Sequence, residues 1–248
     1  MTDSTALRPP SESHPPPGSH PWDHAGFTML GTGGLAAVVM WWAGPSAATG
    51  FAAAGAYFTA AAMVLAFGAR ANTLRRFGPA NQITWVRAAL TAMLAGYAVD
   101  APTIDATIWW PIVAVACAAL ALDGLDGYVA RRRGECSAFG ARFDMETDAA
   151  LILVLALLVW QSGKTGSWVL IIGVMRYVFI AVGGGFPILT SPLLSSTRRK
   201  LVCVGQVVGL VLCLLPIIPR ETAFFVAAMA LAALTLSFAK DVMTLTRR

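Results

Sequence analysis

Residues 121–150, ALDGLDGYVARRRGECSAFGARFDMETDAA, place acidic residues at the facing edges of two apolar segments. Asp123 and Asp126 are three residues apart, and Asp144 and Asp148 are four apart. In helices, each pair therefore lies on one face. Because only a short polar connection separates the segments, two such helices pack antiparallel, with their acidic ends side by side. We predict one acidic cluster shared by two neighbouring helices.

The composition around this stretch is typical of a membrane protein. Of the 248 residues, 57% are hydrophobic and only 12% are charged, whereas soluble domains carry about 25% charged residues. The net charge of +5 does not indicate a nucleic-acid partner, because the arginines cluster at the ends of apolar segments, where they set topology and attract anionic lipids. The four cysteines have no CxxC spacing, so neither a disulfide framework nor a zinc site is predicted.

The apolar segments predict an all-α integral membrane protein. Residues 1–24, rich in Pro, Ser and His, are predicted to form a disordered cytoplasmic tail. Residues 25–70 are predicted to form two additional transmembrane helices, followed by a six-helix membrane domain at 71–248. A spanning helix needs about 20 apolar residues. The predicted spans are 26–44, 47–69, 81–99, 107–130, 139–161, 167–185, 200–218 and 222–243.

The basic residues of the loops predict the orientation. One side of the predicted topology carries most of the basic residues, which are arginines and a lysine at 70–76, 131–133, 198–200 and 247–248. Basic loops mark the cytoplasmic side. We therefore expect both termini and the acidic cluster to face the cytoplasm, in an inner or plasma membrane of bacterial type.

The acidic cluster requires a counter-ion. A charged side chain within a spanning helix costs about 2.5–3.5 kcal/mol on insertion scales and by default marks a functional site. Carboxylates this close cannot all ionise without a cation. An all-oxygen donor set suits Mg²⁺ or Mn²⁺, which also bind phosphate oxygens. Every histidine lies within the first 24 residues, so a buried proton transfer must use a carboxylate, lysine, tyrosine or water.

Small residues beside the acidic faces leave space for a bulky diphosphate. Gly127, Ala130 and Gly140 carry little or no side chain. Arg131, one turn after Gly127, offers a planar donor fork to phosphate. Arg176 lies about 12 Å into its predicted span, too deep for a snorkelling arginine. We therefore predict that it lines the pocket and contacts a phosphate or the acceptor.

Eight positions of this stretch resemble, in residue type and spacing, the complete signature of the CDP-alcohol phosphotransferase family. The segment PANQITWVR at 79–87 also resembles that family's first core helix, which often begins with a Pro-Asn…Thr…Arg pattern. The resemblance covers roughly residues 79–245, and the first two predicted helices lie outside it. The eight positions are Asp123-x2-Asp126-Gly127-x2-Ala130-Arg131-x8-Gly140-x3-Asp144-x3-Asp148.

The resemblance implies a reaction and a role for each matching residue. The reaction would transfer a phosphatidyl group from a CDP-activated lipid, such as CDP-diacylglycerol, to an alcohol, releasing CMP in phospholipid biosynthesis. Two Mg²⁺ or Mn²⁺ ions would be bound, and Asp148 would also be the general base for the acceptor hydroxyl. We further expect a homodimer surrounded by membrane lipids. The implied metal ligands are Asp123, Asp126, Asp144 and Asp148. The implied nucleotide and diphosphate site comprises Gly127, Ala130, Arg131, Gly140, Asn81 and Thr84.

Several alternatives stay open at this point. Membrane prenyltransferases also bind diphosphates through Asp-rich helices, and divalent-cation transporters carry acidic groups nearer the bilayer midplane. A structural salt-bridge network between the aspartates and residues 131–133 or 142 would explain the charges without chemistry. The acceptor is open among glycerol 3-phosphate, inositol or its phosphate, serine and phosphatidylglycerol. The donor could also be a small CDP-alcohol with a lipid acceptor.

Overall fold

The computed structural model describes the chain over six ranges and is helical throughout them, without a strand. The described ranges are 31–33, 36, 46–70, 78–133, 138–185 and 197–246. Within these ranges, the structure does not describe the side chains at 67–70, 126, 128–131, 133, 176, 179–185, 197–200, 241–242 and 244–246. The tail at 1–24 and most of the first predicted span, 26–44, lie outside the described residues, although residues 31–33 and 36 are helical.

Seven long helices occupy the remaining predicted spans. Short 3₁₀ turns at Ala101–Thr103, Ala106–Ile108 and Ser167–Val169 introduce or connect them. The helices are α1 (Ala47–Arg70), α2 (Pro79–Asp100), α3 (Trp109–Arg133), α4 (Ala138–Gln161), α5 (Leu170–Gly185), α6 (Thr197–Leu214) and α7 (Arg220–Thr246).

Prolines fix two of the helix boundaries. Pro79 is the first residue of α2, where its missing N–H costs no hydrogen bond and its fixed φ suits a helix. Helix α6 ends at Leu214, four residues before the predicted boundary. Pro216 and Pro219 follow, and a proline can neither donate to the helical ladder nor fit into a helix interior. A tight turn therefore connects α6 to α7.

The outer faces of the helices are strongly apolar. Within the described ranges, three helical stretches are long and apolar enough to cross a membrane: Ala47–Ala66, Ala106–Leu125 and Arg220–Lys240. On α7 the buried side includes Ala223 and Ala227, whereas the much larger Met229 is 71% exposed. Small residues inside and large apolar residues outside are what a helix bundle surrounded by lipid requires. The described residues therefore form an all-helical bundle with the apolar helices of a membrane protein.

Helices α2 and α4 form the centre of the bundle. Helix α2 packs against α1, α3 and α4, and α4 also packs against α5 and α6. The crossing of α4 and α5 is very close at Gly173, where an added Cβ would lie 2.6 Å from the Leu153 Cα. Because α3 and α4 run in opposite directions, the end of α3 and the start of α4 meet at one end of the bundle. We call this the acidic end.

Helices α1 and α2 are joined by polar contacts at the opposite end of the bundle. Asp100, the last residue of α2, accepts hydrogen bonds from the hydroxyls of Ser46 and Thr49 at the start of α1. These two hydrogen bonds hold the pKa of the Asp100 carboxyl below its usual range. The Ser46 hydroxyl also accepts a hydrogen bond from the Thr49 N–H at 3.3 Å, which caps the first turn of α1.

Candidate active site

A buried arginine lies at the centre of the acidic end. Arg87, on α2, has no exposed surface although it is a charged side chain. A buried charge is tolerated only where an opposite charge and hydrogen bonds compensate for the lost water. For Arg87 this compensation comes from carboxylates on α3 and α4.

The Arg87 guanidinium contacts three carboxylates. Its Nη1 is 2.6 Å from the Asp144 Oδ1, and its Nη2 is 2.9 Å from the Asp123 Oδ1. The same Nη2 also donates to the Asp148 Oδ1. The planar fork of donors allows one guanidinium to serve several oxygens at once. Arg87 therefore connects α3 to α4 through the helix that lies between them.

The three carboxylates form one compact cluster. Asp123, Asp144 and Asp148 each offer an oxygen, and these oxygens lie within 4.8 Å of one another. Between 25% and 39% of each side chain is exposed, so the cluster is open enough to receive a ligand. The spacing of the aspartates predicted this cluster, but the expected packing of α3 directly against α4 was wrong. In the described residues both helices pack mainly against α2, which lies between them, and their acidic ends meet beside Arg87.

The donor set fits a hard divalent cation. Three ionised carboxylates and one guanidinium, which stays protonated in proteins, leave a net charge of −2 by simple addition. All the clustered ligand atoms are carboxylate oxygens, the donors that Mg²⁺ and Mn²⁺ favour. These residues can therefore hold a divalent metal ion.

The remaining residues of the signature lie on the same two helices. Gly127 follows Asp123 by one turn on α3, and Gly140 precedes Asp144 by one turn on α4. The side chains of Asp126, Ala130 and Arg131, also on α3, lie outside the described residues. Arg176 is on α5, and its side chain is likewise outside the description.

Asn81 and Thr84 lie on α2, between its first residue and Arg87. Both are buried. The Thr84 hydroxyl donates to the Ala80 carbonyl at 3.2 Å, which satisfies that hydroxyl within its own helix. Asn81, Thr84 and Arg87 are spaced three residues apart. Residues at this spacing are neighbours on a helix surface, so the three form a continuous stripe that winds slowly around α2. This stripe leads from the start of the helix to the acidic cluster.

Arg87 was not predicted as a site residue from the sequence, although a signal for it was present. It is the one charged residue between Pro79 and Val99 in an otherwise uncharged segment, and a charge in a spanning helix marks a functional site by default. The salt-bridge alternative named residues 131–133 and 142, of which Arg132 and Arg142 are exposed. In the described part of the chain, the positive charge that contacts the carboxylates is instead the Arg87 guanidinium of α2.

Comparison with known proteins identifies the family. Residues 77–238 match the family described as CDP-alcohol phosphatidyltransferase, a match that covers more than half of the chain and includes α2 to α6 with most of α7. No curated protein and no solved structure gave a match. The matched range contains Arg87 and the whole acidic cluster. The chain belongs to the CDP-alcohol phosphatidyltransferase family.

Proposed function

We propose that this protein transfers a phosphatidyl group from CDP-diacylglycerol, or a related CDP-lipid, to the hydroxyl group of an alcohol in phospholipid biosynthesis. Membership of the family makes the chain a membrane transferase that acts on a CDP-alcohol. The observation that supports the proposal most directly is the cluster of Asp123, Asp144 and Asp148 around one buried guanidinium. It combines carboxylate oxygens for metal ions with a fixed positive charge beside them.

We assign the metal-binding role to the four aspartates of the signature. Asp123, Asp144 and Asp148 would contribute the clustered oxygens, and Asp126 would add a fourth carboxylate from α3. Two Mg²⁺ or Mn²⁺ ions, when bound, would offset the charge of the diphosphate while the phosphoryl group is transferred. Arg87 would hold the three described carboxylates in a fixed arrangement before the ions and the substrate arrive.

Asp148 is the proposed general base. During transfer, the acceptor oxygen forms a bond to the lipid-linked phosphorus, the bond from that phosphorus to the CMP oxygen breaks, and CMP leaves. The hydroxyl proton passes to the Asp148 carboxylate. Asp148 lies one turn farther along α4 than Asp144, deeper in the bundle, on the side from which a lipid-linked phosphate would approach. A positioned base of this kind contributes about 10²–10⁴-fold to the rate.

The nucleotide and the acceptor are assigned to the residues around the cluster. Gly127, Ala130 and Gly140 would leave room for the diphosphate, and Arg131 would donate to it. Asn81 and Thr84 would contact the nucleotide from α2. Arg176 is the candidate for a phosphate on the acceptor, which would favour a phosphorylated polyol such as glycerol 3-phosphate.

The arrangement in the membrane is also part of the proposal. We propose eight spans, in which the two helices of residues 25–70 precede a six-helix catalytic domain at 71–248. The tail at 1–24 and the acidic end would face the cytoplasm of a bacterial-type cell. The working unit would be a homodimer.

Purified protein supplied with CDP-diacylglycerol and a panel of acceptors tests this function. The panel contains glycerol 3-phosphate, inositol, inositol phosphate, serine and phosphatidylglycerol. We expect one acceptor to yield CMP and a new phospholipid in equal amounts. Failure of every acceptor with CDP-diacylglycerol, together with turnover of a small CDP-alcohol or of a prenyl diphosphate, would refute the proposed donor.

A further inference from the structure

An aromatic cluster joins α1 to α2, which carries Arg87, and to α4, which carries Asp144 and Asp148. We call it the aromatic wedge and define it as Tyr57 of α1, Trp85 of α2, and Phe139 and Phe143 of α4. Trp85 is completely buried at its centre. The Tyr57 and Trp85 rings meet edge to face with centroids 5.4 Å apart. The Trp85 and Phe143 centroids are 6.2 Å apart, as are those of Phe139 and Phe143.

Hydrogen bonds fix the wedge on its α1 side. The Trp85 Nε1 donates to the Thr32 Oγ1 at 3.0 Å and is 3.3 Å from the Tyr57 hydroxyl. The Thr32 and Tyr57 hydroxyl oxygens are also 3.3 Å apart. Gly33 allows this close approach, because an added Cβ there would lie 2.9 Å from the Tyr57 ring. Residues that precede the family match therefore fix the orientation of Trp85.

The wedge and the acidic cluster lie on opposite sides of α2. Trp85 and Arg87 are two residues apart, which is about 200° around a helix of 3.6 residues per turn. On α4, Phe143 and Asp144 are adjacent in sequence. Phe143 contacts Trp85 on one side of α2, while Asp144 contacts Arg87 on the other. Any rotation of α2 relative to α4 must therefore change both contacts.

We infer that α1 is a functional part of the catalytic unit, in which Tyr57 acts as a positioning residue for the metal-binding carboxylates through Trp85 and Phe143. The inference rests on the proposed function, since it concerns the same metal site. It goes beyond that function because α1 lies outside the matched family range of 77–238.

Tyr57 can affect metal binding because a metal site is sensitive to small displacements of its carboxylate ligands. The Tyr57 ring holds Trp85 against Phe143 and so determines how far α4 stands from α2. The carboxylates come from α3 and α4, so a shift of α4 changes the distances between the oxygens that must share a metal ion. Groups that orient metal ligands without touching the metal typically contribute about 10–100-fold to metal affinity. A displacement of about 1 Å can also cost about 10²-fold in rate.

The test compares two aromatic residues of α1 in the full-length protein. Tyr57→Ala removes the α1 side of the wedge, whereas Phe51→Ala removes a ring that is 78% exposed on the same helix. The apparent affinity for Mg²⁺ and Mn²⁺ is measured in detergent from the metal-induced rise in Tm. We expect Tyr57→Ala to weaken metal affinity at least about tenfold and Phe51→Ala to stay within about twofold of wild type.

Further variants distinguish positioning from general stability. Tyr57→Phe keeps the ring, and the Trp85 Nε1 still has Thr32 as a partner, so its metal affinity should stay close to that of wild type. If Tyr57→Ala does not fold, Tyr57→Leu, which keeps apolar volume without the ring, is measured with the same expectation. Equal metal affinity in wild type and in the ring-deleted variant would overturn the inference. A wild-type protein that binds neither metal would instead refute the proposed function.

Discussion

Arg87 has two opposing effects on the carboxylates that it contacts. Its charge stabilises them when no metal is present, and the same charge repels an arriving cation. At the distances in this cluster, electrostatic interactions between ions remain large even at a high effective dielectric constant. We therefore expect the guanidinium to stabilise the metal-free protein, to weaken metal binding, and to keep the carboxylates in a fixed arrangement.

The first prediction is that Arg87→Met lowers the stability of the metal-free protein and increases the rise in Tm caused by Mg²⁺. Removing one partner of a buried ion pair costs about 3–5 kcal/mol. The free energy of unfolding should fall by about 1–3 kcal/mol here, because the carboxylates are partly exposed to solvent. Turnover should fall because the carboxylates lose their fixed arrangement. Thermal unfolding with and without Mg²⁺ measures the first two effects.

Arg142→Met is the matched control, since Arg142 is an exposed arginine of α4 next to the site. It should leave both Tm values nearly unchanged. If Mg²⁺ stabilises Arg87→Met no more than it stabilises wild type, Arg87 does not compete with the metal, and this account of its role is wrong.

The second prediction concerns Asp148. Asp148→Asn should retain binding of CDP-diacylglycerol in the presence of Mg²⁺ but lose at least about 100-fold in rate, the low end for a general base. Thermal shift with CDP-diacylglycerol measures binding separately from CMP release. Asp144→Asn should instead lose metal and donor binding together. Turnover of Asp148→Asn within a few-fold of wild type would show that the proton leaves by another route.

At the scale of the helices, the sequence is informative about where each helix lies and much less about which way it faces. Runs of apolar residues of the right length located α1 to α7 closely, and the α6 boundary differed because Pro216 and Pro219 end that helix earlier. A helix that is apolar all round has no stripe to identify its buried face. The pairing of Trp85 with Tyr57 and Phe143 was therefore not predictable from the pattern.

The acidic site could be predicted in part, because its aspartates carry spacing information that the apolar residues lack. Paired aspartates at helical spacing mark a face directly, so the approach of Asp123 to Asp144 and Asp148 followed from the sequence. A single arginine such as Arg87 carries no spacing information, and only the packing of α2 between α3 and α4 reveals its partners. The roles of these residues in binding and catalysis remain predictions.

The third prediction tests the packing of α4 against α5. Gly173→Ala should destabilise the protein by about 1–3 kcal/mol, because the new Cβ would meet the Leu153 backbone at 2.6 Å and the helices would have to separate. Gly205→Ala on α6 is the control, since nothing lies within 4 Å of its added Cβ. Thermal unfolding in detergent should show a lower Tm for Gly173→Ala alone. Equal Tm values would mean that the crossing is looser than described.

At the scale of the whole molecule, the alternation of helices places the two connections of α4 at opposite ends of the bundle. Helix α4 starts at Ala138, at the acidic end, and the residues that follow it, 162–166, lie at the opposite end. The proposed orientation puts the first connection in the cytoplasm, where a soluble acceptor and the nucleotide product can enter and leave.

The fourth prediction tests this orientation. Single cysteines are introduced at 132–138 or at 163–166 in a chain whose native cysteines have been replaced, and intact cells are treated with a membrane-impermeant thiol reagent. Only the cysteines at 163–166 should react from outside, whereas those at 132–138 should react after the membrane is opened. Labelling of 132–138 from outside would reverse the proposed orientation of the active site.

We expect the carboxylate cluster, loaded with a divalent metal, to transfer the phosphatidyl group. The most direct measurement follows CMP release from CDP-diacylglycerol, with the productive acceptor, by wild type and by Asp123→Asn and Asp144→Asn. We predict release by wild type with Mg²⁺ or Mn²⁺, none in excess EDTA, and none by either variant under any condition. CMP release that continues at the wild-type rate in EDTA, or in Asp144→Asn, would contradict the account.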